Sequence, residues 1–511
     1  MRRIAKIARK FLPLFGALLI VVAIYVPSLR TGYFADDFDF AVRMPQMPIS
    51  HIALRSTDGT LGGGSYRPLT IASYWLTMRY DQSPFFNHVV SLAIYLAMLG
   101  ALYAVIRSLF SAQPRWFAAA GVLAIGLMPI RVEPVVWVAA RGDLIAALFA
   151  LLGFALYLRG FGKSAVLLFL LSLGAKEFWI GLAPVVFLLA GDGYSKKDRI
   201  TYGAMYVVGV LGWFGARYYI TQFGVGGYSI TEGQNIFGVQ HIANEVLSFF
   251  LASWNFGVFQ SWIVRFSQFY WFITTWIVGA VLVIAGRYFA KSAGVRLIAA
   301  ALGATLAPIL MLGVPFIRPG ASVAEHRYWF APAIFLALLG LHALQTHKRN
   351  IQIAVFAIVI CVFGYGTAAN IRLYRDAAVY RDEVLSGWKT SVGEQGIYTQ
   401  VALLPDSWYG VHLLASPFFE RALEYEKQSK PLSVSAWYQH CTALCRKPIT
   451  TDRKNPESVL LLAQNPRIFS NSSRGLRYDA TIQLENGTSL AVWSGASWIQ
   501  LSAEGGENCP H

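Results

Sequence analysis

The chain is poor in charged residues and in cysteine. Charged residues make up 14% of its 511 positions, against 56% hydrophobic residues, and the mean hydropathy is +0.48. So few charges exclude a soluble globular domain, whose surface needs more of them. Long apolar runs are present instead, and the sequence therefore predicts an integral membrane protein.

Only four cysteines occur. Cys361 lies inside a predicted helix, whereas Cys441, Cys445 and Cys509 lie in the C-terminal tail, where an oxidising compartment would permit one disulfide. A CxxxC pair beside His440 offers too few ligands to predict a metal site.

Two other features are also missing. The tail has no 34-residue helical repeat, and no small-x-small cleavage site closes the first apolar run. We therefore interpret that run as an uncleaved first membrane helix.

A membrane-spanning helix needs about 20 mostly apolar residues. By this measure the sequence predicts a polytopic α-helical protein with about eleven spans, and an interfacial or re-entrant piece at 235–262. The spans are 11–28, 86–107, 116–130, 144–158, 164–175, 178–190, 201–219, 269–286, 296–316, 329–345 and 351–369.

The distribution of charge predicts the orientation. With a cytoplasmic N-terminus, the segments assigned to the inside hold 17 Lys and Arg but 2 Asp and Glu, whereas the tail holds 14 of each. The net charge of +16 therefore reflects membrane topology, and we expect no nucleic-acid partner. The compact inner loops favour a bacterial inner membrane, with the tail in the periplasm.

Two domains are expected: a membrane module, 1–369, and a small extracytoplasmic α+β domain, 370–511. Within the module, the outer loop 29–85 should contain an interfacial amphipathic helix. In the tail, 412–427 is predicted to be helical. Alternation on both sides of Asn486-Gly487 predicts a β-hairpin.

The sequence GYFADDFD places Asp36, Asp37 and Asp39 directly after the first span. A carboxylate at a membrane interface is costly unless it is hydrated, paired or used. Of an adjacent Asp pair, one member could accept a proton from an attacking hydroxyl while the other orients a partner. The alternative is a turn or helix cap, and for Asp39 a structural role is favoured.

Charged residues recur at the outer ends of later spans. Arg141 and Asp143 could pair with each other and cap a helix, or Arg131 and Arg141 could bind a phosphate. Lys176 and Glu177 suit either an internal ion pair or an anion site. Four more candidates, near the tenth span, are Arg318, Glu325, His326 and Arg327.

Four blocks resemble the GT-C glycosyltransferases, and most nearly the transmembrane O-mannosyltransferases that carry TPR repeats and their bacterial relatives. In order they are FADDFD, then SYRPLTIASYWL with SPFFNHVVSLAIY, then MPIRVEPVVWVAARGDLIAALF with LGAKE, and finally AEHRYWFAP. Together they span residues 31–333. The TPR array itself is missing, which favours a glycolipid or polysaccharide acceptor over a protein.

The resemblance implies transfer of a hexose or pentose from a polyprenyl-phosphate donor to an acceptor hydroxyl outside the cytoplasm. One of Asp36 and Asp37 would be the catalytic base, with Asp36 slightly favoured. Substrate-binding positions carried over from the motifs are Arg67, His88, Glu133, Arg141, Asp143, Lys176, Glu177, Glu325 and Arg327. Donor, acceptor and membrane lipid would be the partners.

No cofactor is required by this chemistry, although Mg²⁺ or Mn²⁺ at the Asp pair is compatible with it. The main alternative is a transporter or flippase of lipid-linked or anionic substrates. Transporters, however, place ionisable groups near the bilayer midplane on repeated, broken helices. An O-antigen ligase or polymerase type of enzyme and a non-catalytic envelope scaffold are further alternatives, and both account poorly for the acidic cluster.

Overall fold

The computed structural model describes residues 2–54, 66–190, 193–221, 293–312 and 330–388, together with parts of the segment 399–502. Those parts are 399–405, 407–408, 411–412, 418–426, 433–437, 450–452, 455–463, 478–483, 489–493 and 498–502.

The chain divides into two compact units. The first consists of Met1–Arg30, Met47–Gly320 and Glu325–Arg372, and the second of Thr31–Gln46, Ala321–Ala324 and Leu373–His511. The acidic segment after the first span therefore groups with the C-terminal part of the chain. The expected membrane module 1–369 and outer domain 370–511 stay a prediction.

Helices make up the first unit. They are α1 (Arg2–Tyr25), α3 (Ser50–Leu54), α4 (Pro68–Tyr80), α5 (Pro84–Leu109), α6 (Arg115–Gly126), α7 (Val132–Val136), α8 (Arg141–Tyr157), α9 (Gly162–Ala175), α10 (Leu182–Leu189), α11 (Lys196–Thr221), α12 (Ala293–Leu312), α13 (Phe330–Leu344) and most of α14 (Arg349–Trp388). Helix α2 (Asp36–Arg43) belongs to the second unit.

Helices occupy ten of the eleven predicted spans, and 269–286 lies outside the described residues, as does 235–262. Among the described helices, four are long and apolar enough to cross a membrane by themselves: Phe11–Arg30, Pro84–Leu109, Val138–Tyr157 and Arg349–Trp388. A bent pair, Arg115–Gly126 with Pro129–Val136, could form a fifth. An integral membrane protein is therefore supported, whereas the number eleven and the orientation stay predictions.

Local sequence explains where several helices begin and break. Helix α5 starts after Ser83, whose side chain accepts a hydrogen bond from the Phe86 amide at 3.3 Å, and Pro84 occupies its first position. Helix α6 and the following segment Pro129–Val136, which contains α7, meet at an angle of 65°, because Pro129 cannot continue α6. These features fix the ends of the helices that carry the charged side chains.

Helix α4 matches the position of the predicted interfacial helix. Its buried face carries Ile71, Tyr74 and Met78, but the exposed side chains include Leu76 and Tyr80. Both faces are thus apolar or aromatic, and the expected amphipathic contrast is absent from this helix. Its position along the bilayer surface stays a prediction.

The second unit contains α2, the last turns of α14, α15 (Phe418–Tyr425) and the strands. Helix α15 confirms a helix within the predicted 412–427, although His412 itself lies in a strand. The strands are β1 (Thr399–Pro405), β2 (Ser407–Trp408), β3 (Val411–His412), β4 (Ser433–Trp437), β5 (Thr450–Asp452), β6 (Asn455–Ala463), β7 (Tyr478–Gln483), β8 (Ser489–Trp493) and β9 (Trp498–Ser502).

The predicted hairpin between β7 and β8 is wrong. Strand β7 pairs antiparallel with β6 in the sheet β5-β6-β7, whereas β8 joins the sheet β4-β1-β8-β9, parallel to β1 and antiparallel to β9. Alternating apolar residues predict a strand but do not select its partner. The Asn486-Gly487 pair lies outside the described residues, as do Cys441, Cys445 and Cys509, whereas Cys361 is exposed with a free thiol.

Candidate functional site

Strained backbone lies directly before the acidic cluster. Helix α2 begins at Asp36, and Ala35 before it has φ 40° and ψ −114°, a conformation that alanine rarely adopts. Such strain costs on the order of 1–3 kcal/mol and is found mostly where function requires it. The outlier thus adds a structural reason to suspect a functional role for the carboxylate that follows.

The adjacent carboxylates differ in their surroundings. Asp37 is fully buried, and its Oδ2 accepts a hydrogen bond from the Phe34 amide at 3.1 Å, while its own amide donates to the Phe34 carbonyl at 2.9 Å. Asp37 therefore closes the turn that starts the helix. Asp36 is only half-buried, which leaves it the more accessible of the two.

Asp39 is held by ion pairs. Its buried carboxylate contacts Arg43 on the same helix and the Arg421 Nε of α15, the latter at 3.2 Å. These contacts agree with the structural role that the sequence favoured for Asp39. Arg421 itself gave no signal in the sequence, because its partner lies hundreds of positions away.

Arg381 of α14 fixes the chain just before the cluster. Its guanidinium donates to the carbonyls of Thr31, at 3.0 Å, and of Tyr33, and it lies 5.1 Å from the ring centre of Phe34. Gly32 has φ 72°, and a Cβ there would lie 2.5 Å from Arg381 Nη2. Only glycine fits this position without displacing the arginine. Sequence analysis missed Arg381 as well.

In the first unit, Arg67 and Glu177 form a two-pronged ion pair. Arg67 Nε lies 3.1 Å from Oε2 of Glu177, and Nη2 lies 2.8 Å from Oε1. Burial raises the pKa of Glu177, but the charge and hydrogen bonds of Arg67, a backbone hydrogen bond and the charge of Arg217 outweigh it and lower the pKa to about 2. Glu177 lies between the predicted spans 164–175 and 178–190 and remains ionised at neutral pH.

Lys176, next to Glu177, has a different partner. Its Nζ lies 2.6 Å from Oδ1 and 2.7 Å from Oδ2 of Asp143, and both side chains are less than a tenth exposed. The sequence suggested that Asp143 could pair with Arg141, whereas in the structure Asp143 pairs with Lys176. A buried pair of this kind is costly to break, because either partner alone would be a desolvated charge.

Arg141 is fully buried and surrounded by neutral acceptors. Its guanidinium contacts the hydroxyls of Ser73 at 3.3 Å, Thr77 at 2.8 Å and Ser91 at 3.1 Å, and both the carbonyl and the side-chain oxygen of Asn87, at 3.0 and 3.1 Å. It therefore joins α4, α5 and α8. Such an environment suits a structural anchor better than an exposed phosphate ligand.

Arg131 and Glu133 are also buried, on the turn between α6 and α7 and on α7. Arg131 donates to the carbonyl of Phe330 and lies 4.2 Å from the centre of its ring. Phe330 belongs to the fourth block and Arg131 to the third, so this contact joins the two blocks. His88, on α5, is 1% exposed.

Arg217 of α11 is a third charge near Glu177 and was not predicted. It is 4% exposed, contributes to the low pKa of Glu177 and lies 5.6 Å from the ring centre of Trp213. An Arg within a mostly apolar helix was a signal that sequence analysis could have used.

Arg318, Glu325, His326 and Arg327 lie outside the described residues. Among the residues that are described, no group of three or more His, Cys, Asp or Glu side chains could hold a metal ion. Binding of Mg²⁺ or Mn²⁺ at the Asp pair stays a prediction, since one or two carboxylates together with a substrate phosphate are the usual ligands of Mg²⁺.

Parts of the second and third sequence blocks therefore meet within the first unit. Arg67 comes from the second block, whereas Asp143, Lys176 and Glu177 come from the third. The Thr70 hydroxyl adds a further link between the blocks, because it donates to the Ala175 carbonyl at 2.8 Å. The acidic first block belongs to the second unit.

The chain was compared with protein-family models, with curated proteins and with solved structures. No family model and no curated protein matches the chain. Among solved structures it is similar to the crystal structure of ArnT from Cupriavidus metallidurans bound to undecaprenyl phosphate, with 12% identity over 82% of this chain and 88% of that one. The TM-score is 0.42.

Proposed function

We propose that the protein is a membrane glycosyltransferase of the GT-C type. It moves a hexose or pentose from a polyprenyl-phosphate donor to a hydroxyl of a glycolipid, envelope polysaccharide or protein on the extracytoplasmic side. The observation that carries this proposal is the ion pair between Arg67 of the second block and Glu177 of the third, next in the chain to the buried pair of Lys176 and Asp143. Separate helix caps or solvated loop charges would not form such pairs.

Asp36 is assigned as the catalytic base. It is the more accessible carboxylate of the pair and follows the strained Ala35, whereas Asp37 is occupied in closing the turn. In a single displacement the acceptor oxygen bonds to the anomeric carbon as the bond from that carbon to the phosphate oxygen breaks. The acceptor proton passes to Asp36, and the configuration at carbon is inverted.

Arg67 is assigned to the donor phosphate. Its side chain is 31% exposed, whereas Arg131 and Arg141 are fully buried, so it is the more accessible of these cations. The leaving group already carries its negative charge, so a fixed cation can stabilise its departure without donating a proton. Glu177 orients the guanidinium through both of its oxygens. Arg318 and Arg327 remain further candidates for the same phosphate.

The test is sugar transfer by the purified protein in detergent. Radiolabelled polyprenyl-phosphate hexoses, pentoses and amino sugars are supplied with envelope glycolipid as acceptor. We expect Asp36→Asn to reduce transfer about 10²–10⁴-fold, the usual contribution of a general base. Asp37→Asn should retain more activity, because an amide oxygen can still accept from Phe34. The control is Asp376→Asn, an exposed carboxylate of the same unit.

Transfer that persists in Asp36→Asn at the wild-type rate would overturn the assignment of the base. Failure of the wild type to consume any donor, together with wild-type behaviour of both variants in cells, would favour transport of a lipid-linked or anionic substrate instead.

A further inference from the structure

An apolar groove lies between α6, α13 and α14 of the first unit. Its volume is about 390 Å³, and its lining includes Ala124, Ala337, Gly340, Val355 and Phe356. Gly340 and Val355 are exposed, so the groove opens along the face where α13 and α14 meet. A groove of this size and polarity accommodates a hydrocarbon chain.

One end of this groove is basic. His347 lines it, and Lys348 and Arg349, both exposed, follow in the turn that starts α14. Arg349 lies 5.9 Å from the ring centre of Trp116, the residue after Arg115.

A second loop joins the same end. Gln113, in the loop between α5 and α6, donates to the Gln345 carbonyl at 3.1 Å, and Arg107 donates to the Gln113 carbonyl. Buried Gln352 holds the α13–α14 turn through the carbonyls of Leu344, Gln345 and His347, at 3.1–3.3 Å. The four cations Arg107, Arg115, Lys348 and Arg349 thus lie at or next to the ends of helices whose connecting loops contact one another.

No Asp or Glu lies close in sequence to these four cations. The chain has no Asp or Glu between residues 82 and 132 or between residues 326 and 375, a range that covers α6, α13 and the part of α14 in the first unit. An apolar groove that ends at cations with no Asp or Glu in the neighbouring sequence complements a ligand with a hydrocarbon chain and an anionic head.

We propose that this groove binds an anionic phospholipid of the surrounding membrane. One acyl chain lies against α6, α13 and α14, and the phosphate contacts the basic loops around Arg115, Lys348 and Arg349. Basic pockets between membrane helices are known to select such head groups. The groove lining includes none of the proposed catalytic or phosphate-binding residues, and the inference does not depend on the glycosyltransferase activity.

The experiment titrates the full-length protein in detergent with phosphatidylglycerol or phosphatidylcholine of identical chains and counts bound lipid by native mass spectrometry. Lys348→Gln with Arg349→Gln removes charge, and we expect binding of phosphatidylglycerol to weaken about fivefold for each charge lost. The matched control is Lys196→Gln with Lys197→Gln, two exposed cations at the start of α11.

A second variant tests the groove itself. Gly340 lines the groove, and a Cβ there would meet no atom of another element within 4 Å, so Gly340→Leu places a larger side chain at the groove and should weaken phosphatidylglycerol binding at least tenfold. Gly303→Leu, at another helical glycine with nothing within 4 Å, should not weaken it. A phosphatidylglycerol with a photoreactive acyl chain should label peptides of α6, α13 or α14 in the wild type.

Equal affinity for the two lipids would overturn the proposal. A second contradicting result would be weaker phosphatidylglycerol binding in the Lys348→Gln, Arg349→Gln variant together with unchanged binding in Gly340→Leu. The head group would then bind the basic surface without the acyl chain occupying the groove. Retention of a polyprenyl phosphate but no phosphatidylglycerol, or labelling confined to other helices, would also contradict it.

Discussion

The ion pair between Arg67 and Glu177 allows a stability prediction with a defined pH dependence. The pKa of Glu177 is lowered from its ordinary value of 4.5 to about 2 in the folded protein. This difference corresponds to about 3 kcal/mol in favour of the folded, ionised state. Because the folded pKa lies below the unfolded one, the stabilisation is complete above about pH 5 and is lost as the pH falls through about 2.

We therefore expect Glu177→Gln to lower the free energy of unfolding by about 3 kcal/mol at pH 7 and by only about 1 kcal/mol at pH 3. The difference in free energy of unfolding between wild type and variant becomes smaller at low pH, because protonation of Glu177 removes the stabilising ion pair from the wild type as well. The measurement is denaturation of the purified protein by SDS at both pH values. Glu383→Gln, which changes an exposed carboxylate, serves as the control and should match the wild type.

Two results would refute this reasoning. A Gln variant as stable as the wild type at pH 7 would mean that burial of Glu177 cancels its attraction to Arg67 and Arg217. An equal loss of unfolding free energy at pH 7 and pH 3 would mean that the substitution acts through side-chain packing, because packing contacts do not depend on pH in this way.

Two further predictions concern fixed positions of the fold. Lys176→Met should destabilise the protein by about 3–5 kcal/mol, because it leaves Asp143 buried without its partner, and adding Asp143→Leu should recover most of that loss in the same SDS assay. Gly32→Ala should lower thermal stability more than Gly160→Ala; both glycines have positive φ, but only at Gly32 would the new Cβ meet a guanidinium, 2.5 Å away. Equal effects at the two glycines would exclude the contact with Arg381 as the cause.

Much of the helical fold could be predicted from the sequence. Apolar runs predicted the positions of α5, α8 and α9 because hydropathy and the absence of charge are properties of neighbouring residues. The length of α14 was underestimated: the predicted span ends at residue 369, whereas the helix continues to Trp388. Its last turns carry Arg381, whose contacts with Thr31 and Tyr33 no local pattern could reveal.

The sequence singled out Asp143, Lys176 and Glu177 but not the partners that they have in the structure. Lys176 and Glu177 were expected to form an internal ion pair or an anion site, yet each binds a partner from another part of the chain. The backbone at Lys176 is extended, with φ −164° and ψ 138°, so consecutive side chains point in opposite directions.

The sequence by itself determined that the chain belongs in a membrane, where most helices lie and which polar residues interrupt them, because each of these depends on local composition. Only the tertiary structure decided which charges are compensated: Lys176 by Asp143, Glu177 by Arg67, and Asp39 by Arg421. Ion pairing depends on distances of a few ångströms between residues far apart in the chain, and packing of the helices sets those distances.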